Sequence, residues 1–219
     1  MAKALVIGAS GGIGAAVAAQ LETRGDDVTR LSRSTHGLDV TNPESVDIHL
    51  GAFEDQFDLV FVAVGVLSGG RGPEKSLRSV TADELKNVFM INAVGPALIL
   101  KHASKLMPRD RPAMLATLSA RVGSIGDNHL GGWYSYRASK AALNQLIKSA
   151  SIELARTHIH LACVALHPGT VQTPFTQNYP QHAAVPSVEA AQNILNVLDT
   201  ISSEQTGKFF DWSGAEVPW

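Results

Sequence analysis

KALVIGASGGIGAAVAAQLETRG, residues 3–25, decides the fold. Residues 3–7 are a short apolar run that reads as a buried strand, and a helix begins near Gly12 and stops at Gly25. Gly8, Gly12 and Gly14 stand between the two in the spacing Gly-x-x-x-Gly-x-Gly. Gly8 lets the chain leave the strand in a tight turn. Gly12 leaves backbone room for a pyrophosphate, and Gly14 lets the helix pack closely on the strand. The free amides at the helix start, with Ser10 and Ile13 in the same turn, then face the phosphates. The segment predicts the phosphate-binding corner of a nucleotide fold.

Outward from that corner, strands and helices alternate. Further strands are expected at 27–32, 36–40, 57–64, 113–118, 160–166 and 207–210. Helices are expected from Pro43, at 81–105, 133–156 and 187–201. This order predicts an α/β fold: a single-domain Rossmann-type doubly wound parallel sheet of about seven strands, with helices on both faces. One domain is expected over 1–219, since that length supplies one sizeable core and is short for two. The long loops are 67–73 and 174–186. No apolar run reaches the 18 or so residues needed to span a bilayer, and the first apolar residues are committed to the first strand. Cys163 is the one cysteine, which rules out an internal disulfide and suits a cytoplasmic protein. A net charge of −2 points to neither nucleic acid nor an anionic membrane as partner. Only 17% of residues are charged, below the usual quarter or so, which favours an oligomer.

A second stretch carries chemistry. In WYSYRASKAALNQLIKSASIEL, residues 133–154, Tyr136 and Lys140 are four apart and share a helix face. A free phenol, with pKa about 10, exchanges protons poorly at neutral pH. Bringing it to about 7 takes roughly 4 kcal/mol. One cation about 4 Å away supplies that at an effective dielectric near 20. The pair therefore reads as an acid–base device. Tyr134 lies on the same helix with Ala138 four residues on, so it lacks the cation.

These residues, with Asn92 in FMINAVGP, Ser119 in TLSARVGSI, YRASK at 136–140, HPGTVQT at 167–173 and the FFDWSG stretch near the end, make the chain resemble the short-chain dehydrogenase/reductase family over essentially its whole length. It looks most like the C-factor-like subgroup. The resemblance implies an oxidoreductase moving hydride between a nicotinamide and a carbonyl or secondary alcohol. Tyr136 is then the acid or base, Lys140 lowers its pKa and holds the nicotinamide ribose, Ser119 hydrogen-bonds the oxyanion, and Asn92 holds a water in a proton relay. Gly65 approaches the cofactor ribose, and Pro168, Gly169, Val171 and Thr173, with the Thr170 hydroxyl, hold the carboxamide. Asp39, with Val40, matches the position reaching the adenine. The family is commonly dimeric or tetrameric through the Tyr136 helix, so a homodimer or homotetramer is expected, with Ala138, Ala142 and Ser149 small enough for that contact.

Cofactor choice falls at the end of the second strand. The slot where an acidic residue selects NAD holds Ser32, followed by Arg33, whose guanidinium suits a 2′-phosphate. NADP(H) is expected, with NAD(H) possible. The sequence departs from the family at Val62-Ala63-Val64-Gly65, where Asn-Asn-Ala-Gly is usual, and at Ala120, where a second serine is usual. If the register differs, Ser124 replaces Ser119. These departures leave an alternative open: a nucleotide-binding regulatory or signalling protein with vestigial catalysis. His158 and His160 lack a carboxylate or cysteine cluster, so no metal site is expected. Arg71 and Lys75 read as solvated charges, and Trp133, Trp212 and Trp219 as packing residues.

Overall fold

Lys3–Ile7 forms strand β1, buried beyond its first residue, and the glycine turn leads directly into helix α1, Gly12–Thr23. This computed structural model describes residues 1–176 and 184–219. In chain order there follow β2 (Asp27–Leu31), α2 (Arg33–His36), α3 (Pro43–Gly51) and β3 (Leu59–Val62). Next come α4 (Ala82–Phe89), a π-helical turn at Met90–Val94, α5 (Gly95–Leu100), α6 (Ala103–Leu106) and β4 (Ala113–Leu118). The chain ends with α7 (Tyr134–Leu154), β5 (Leu161–His167), α8 (Ser187–Leu198) and β6 (Phe209–Asp211).

Among the described residues, six strands form one sheet in the order β2-β1-β3-β4-β5-β6, every pair parallel. Period-two alternation sends side chains to two cores. Leu5, Ile7, Val60, Val62, Leu115 and Cys163 pack with Val46, Ile99, Leu143 and Ile147 on one face. Ala4, Val6, Phe61, Ala116 and Val164 pack with Val17, Leu21, Ile194 and Leu195 on the other. Both faces are covered, which is why the strands read as continuous apolar runs. Cys163 sits inside the first core, and burial pushes its thiol up to about 12. The direction of strand addition reverses between β1 and β3, so the crevice beyond their carboxyl ends is where such sheets bind ligands.

Two expectations need correction. The strand expected at 36–40 does not form, leaving six strands rather than seven. Ser32 instead caps the helical turn α2 by accepting a hydrogen bond from the Thr35 amide, and Gly37 ends that turn at φ 76°. Leu38 is then buried as an anchor rather than as part of a strand. The single helix expected over 81–105 is interrupted. Pro96 has no N–H to give the Asn92 carbonyl four residues back, and the ladder widens into the π turn at that point.

The tail is tied down. The Trp219 ring stacks on Phe209 with centroids 5.7 Å apart, and its carbonyl accepts from the Gly126 amide at 3.1 Å. Trp212 is half exposed and lies against Gly169. The expected loop 174–186 falls partly outside the described residues, at 177–183. Among the described residues, no helix is long and apolar enough to cross a membrane.

Candidate active site

The glycine turn works by steric exclusion. A Cβ on Gly8, at φ +89°, would stand 2.4 Å from the Ala63 carbonyl oxygen, and one on Gly14 would stand 2.3 Å from the Gly8 oxygen. Both obstacles are backbone, so the β1–α1 corner and the end of β3 close up only around hydrogen atoms. A Cβ on Gly12 would meet Thr173 at 2.7 Å, which brings the 167–173 segment over the start of α1. No side chain caps α1, and its first turn carries no acid, so its positive end is open to an anion.

Two cavities share the rim formed by Ser10, Gly11, Ala63, Val64 and Gly65. The one of about 290 Å³ is lined by Gly8, Ser32, Arg33, Asp39 and Val40. The other, about 380 Å³, is lined by Gly12, Ile13, Gly14, Ser119, Tyr136, Lys140, Pro168, Gly169, Val171 and Thr173. A groove with two lobes joined at a glycine turn fits a dinucleotide, one nucleoside to each lobe and the pyrophosphate at the α1 amides. Arg33 is exposed and, among the described residues, its guanidinium makes no hydrogen bond or ion pair, so it is available to a phosphate. The Asp39 carboxylate is turned onto Thr41, accepting from its amide at 2.9 Å and its hydroxyl at 2.7 Å. Those bonds hold its pKa below the usual carboxylate range.

Tyr136 and Lys140 do share a face of α7 and line the same cavity, both buried. Their electrostatics differ from the expected ammonium-lowered phenol. Desolvation dominates both groups: it raises the Tyr136 phenol well above its ordinary value and brings the Lys140 ammonium down to about 7. The Lys140 Nζ donates to the Leu118 carbonyl at 3.0 Å. The phenol is thus held protonated beside an amine that gains and loses a proton near neutral pH.

Asn92 sits fully buried in the π turn, behind the cavity rather than in its wall. Its Oδ1 accepts from the Val66 amide at 2.8 Å; its Nδ2 donates to the Val66 carbonyl and to Ser139 Oγ. Ser139 Oγ in turn donates to the Tyr136 carbonyl at 2.8 Å. A Cβ on Gly65 would lie 3.3 Å from Asn92 Oδ1 and 3.4 Å from Lys140 Nζ, so the missing side chain lets both approach the groove. Ser119 reaches the cavity; Ser124 is buried elsewhere, accepting from the Asp127 amide at 3.0 Å.

Sequence reading missed three residues here. Asn144 accepts a 2.6 Å hydrogen bond from Ser119 Oγ and leaves its own Nδ2 without a partner among the described residues. His167 lines the cavity, held neutral because burial lowers its pKa to about 4, with Nδ1 likewise unpartnered. Phe175 also lines it, its ring edge-on to Tyr136 at 5.8 Å. His158 is buried against the Thr157 hydroxyl and the Ser104 carbonyl, while His160 is exposed.

Comparison with known proteins gives a consistent result. Residues 2–184 match the family model described as short chain dehydrogenase. The 1-hydroxy-2-glutathionyl-2-methyl-3-butene dehydrogenase of Rhodococcus sp. (strain AD45) is 29% identical over 100% of both chains. The C-signal protein of Myxococcus xanthus is 37% identical over 66% of this chain and 84% of its own. A protein of Burkholderia multivorans, described as a short-chain dehydrogenase/reductase and solved with bound NADP, superposes with a TM-score of 0.80 at 27% identity, covering 100% of this chain and 99% of its own.

Proposed function

The chain belongs to the short-chain dehydrogenase/reductase family, in its C-factor-like subgroup, and on that premise we propose an NADP(H)-dependent oxidoreductase that reduces a carbonyl or oxidises a secondary alcohol, with Tyr136 as acid or base. The observation that carries the reading is the single cavity, continuous with the glycine turn, that holds Tyr136, Lys140 and Ser119 together.

The dinucleotide, when bound, supplies or accepts hydride at the carbonyl carbon. The rest falls to the chain. Tyr136, kept protonated by burial, is in the form an acid needs, and an alkoxide is a far stronger base than a phenolate. Lys140, near 7, can return a proton to the phenolate and pair with it while it lasts. The Ser119 hydroxyl rotates from Asn144 to the substrate oxygen and stabilises the charge developing there. Asn92 fixes the π turn against Val66 and Ser139, and through Ser139 the first turn of α7. Arg33 takes the 2′-phosphate, a preference in keeping with the NADP bound by the Burkholderia relative. His167, neutral and with a free ring nitrogen, joins Pro168, Gly169, Val171 and Thr173 around the carboxamide.

The test is NADPH oxidation followed by absorbance against a panel of aldehydes, ketones and quinones. Turnover that Ser119→Ala lowers by about tenfold or more supports the assignment; an unaffected rate removes Ser119 from the oxyanion role, and Ser124, which lies outside the cavity, does not replace it. The name of the Myxococcus relative and the apolar Val62–Ala63–Val64 segment favour a second reading, a nucleotide-binding signalling protein. NADPH binding without turnover anywhere on the panel selects it. The partly exposed face of α7 at Ala138, Ala142 and Ser149 leads us to place a homodimer or homotetramer contact there. A monomer mass in solution rejects that contact.

A further inference from the structure

Helix α7 begins without a cap of its own. Its first flanking residue is Trp133, the one non-glycine residue with positive φ (52°) among the described residues, and its side chain caps nothing. A helix normally starts from extended backbone with a small polar side chain closing its free amides. A bulky residue in the left-handed region is an outlier that the surroundings must enforce.

The enforcing group comes from 61 residues upstream. Glu74 is 5% exposed, and no lysine or arginine pairs with it among the described residues. One carboxylate oxygen accepts from the Ser135 amide at 3.1 Å, and the other accepts from the Ser135 hydroxyl in a short contact. Its main-chain carbonyl accepts from the Trp133 amide at 2.5 Å. One residue thus holds Trp133 and Ser135, three and one positions before Tyr136, and its negative charge stands at the positive end of a 21-residue helix. The Trp133 ring, once so placed, meets the Tyr136 ring edge-on with centroids 6.2 Å apart. The loop bearing Glu74 is itself moored near its start, where the Gly69 amide donates to Glu84 at 2.6 Å.

We propose that Glu74 is a positioning residue for Tyr136: by capping α7 at Ser135 from a distant loop, its carboxylate sets where the phenol stands in the cavity. The inference rests on the reading of Tyr136 as the proton donor. Glu74 lines neither cavity, so its carboxylate acts on the phenol through Ser135.

The experiment compares Glu74→Ala, Glu74→Gln and Ser135→Ala in the full chain, well below their melting temperatures. Three quantities are read: carbonyl-dependent NADPH turnover, NADPH affinity by fluorescence, and the 13Cζ resonance of Tyr136, assigned with Tyr136→Phe. Glu74→Ala is expected to lower kcat by about tenfold or more and to shift the Tyr136 resonance. NADPH affinity should stay within about twofold, because no cofactor contact is touched. Glu74→Gln keeps an acceptor at the same length and should restore most of the rate. Should Glu74→Ala fail to fold, Ser135→Ala removes one of the three donors, the hydroxyl, and should give a smaller loss of the same kind. A lower melting temperature with kcat and the Tyr136 resonance unmoved overturns the proposal. If the native protein reduces nothing on the panel, the functional reading fails, and the resonance still tells whether Glu74 places the phenol.

Discussion

The glycine turn after β1 and the working face of α7 meet in one groove, yet they are built in opposite ways. The turn is made from residues within one short stretch and from what they lack: at Gly8 and Gly14 there is no room for a side chain. The α7 face is made from side chains that meet across the fold: Asn92 reaches the Tyr136 carbonyl through Ser139, Ser119 donates to Asn144, and Glu74 accepts from Ser135. A glycine marks the exclusion at its own position, whatever it makes room for, so a short stretch of sequence displays it. Polar satisfaction is a matter of what lies opposite in space, which a short stretch cannot display.

The contrast can be broken at either end. The largest effect is expected at α7, where Tyr136→Phe should lower kcat by roughly 10²–10⁴-fold while NADPH affinity is kept, as read by steady-state rates and fluorescence titration. Loss of binding together with rate would mean that the two regions are not separable. At the turn, Gly14→Ala drives a methyl into the Gly8 carbonyl and should cost about 1–3 kcal/mol of stability, with weaker cofactor binding, in denaturant and titration curves. Arg33→Ala sharpens the division within the groove itself. It should raise the KM for NADPH by about tenfold and leave that for NADH unchanged, since only one of the two carries the 2′-phosphate.

The smallest effect is one of pH. The folded pKa of Lys140 is about 7, below its ordinary 10.5. Below about 7 the amine is charged both in and out of the fold, and the penalty for burying it is fully present. Between there and 10.5 only the unfolded chain holds the proton, so stability gains as pH rises and the penalty fades. Lys140→Met should therefore raise the melting temperature at about pH 6, and by less at about pH 9.5. An advantage that is constant across that range would show that the amine is not desolvated.

Much of this was open to reading from the chain. The β1–α1 corner, the Tyr136–Lys140 face and the parallel sheet follow from glycine spacing, helical spacing and alternation. The strand expected at 36–40 failed because Ser32, read as a cofactor residue, also caps a turn that Gly37 ends. The helix over 81–105 broke at a proline whose effect falls four residues earlier, on Asn92. The neighbouring charge alone predicts a lowered phenol pKa, whereas burial, which spacing does not reveal, outweighs it. Glu74 and Asn144 carry no motif; their partners stand 61 and 25 residues away.

Cys163 makes the folded molecule nearly blind to thiol reagents, because alkylation needs the thiolate and access, and the core denies both. A reagent that does label this chain is therefore counting the molecules that have opened. The wild-type sequence carries its own clock for breathing of the central sheet, with no probe to be added.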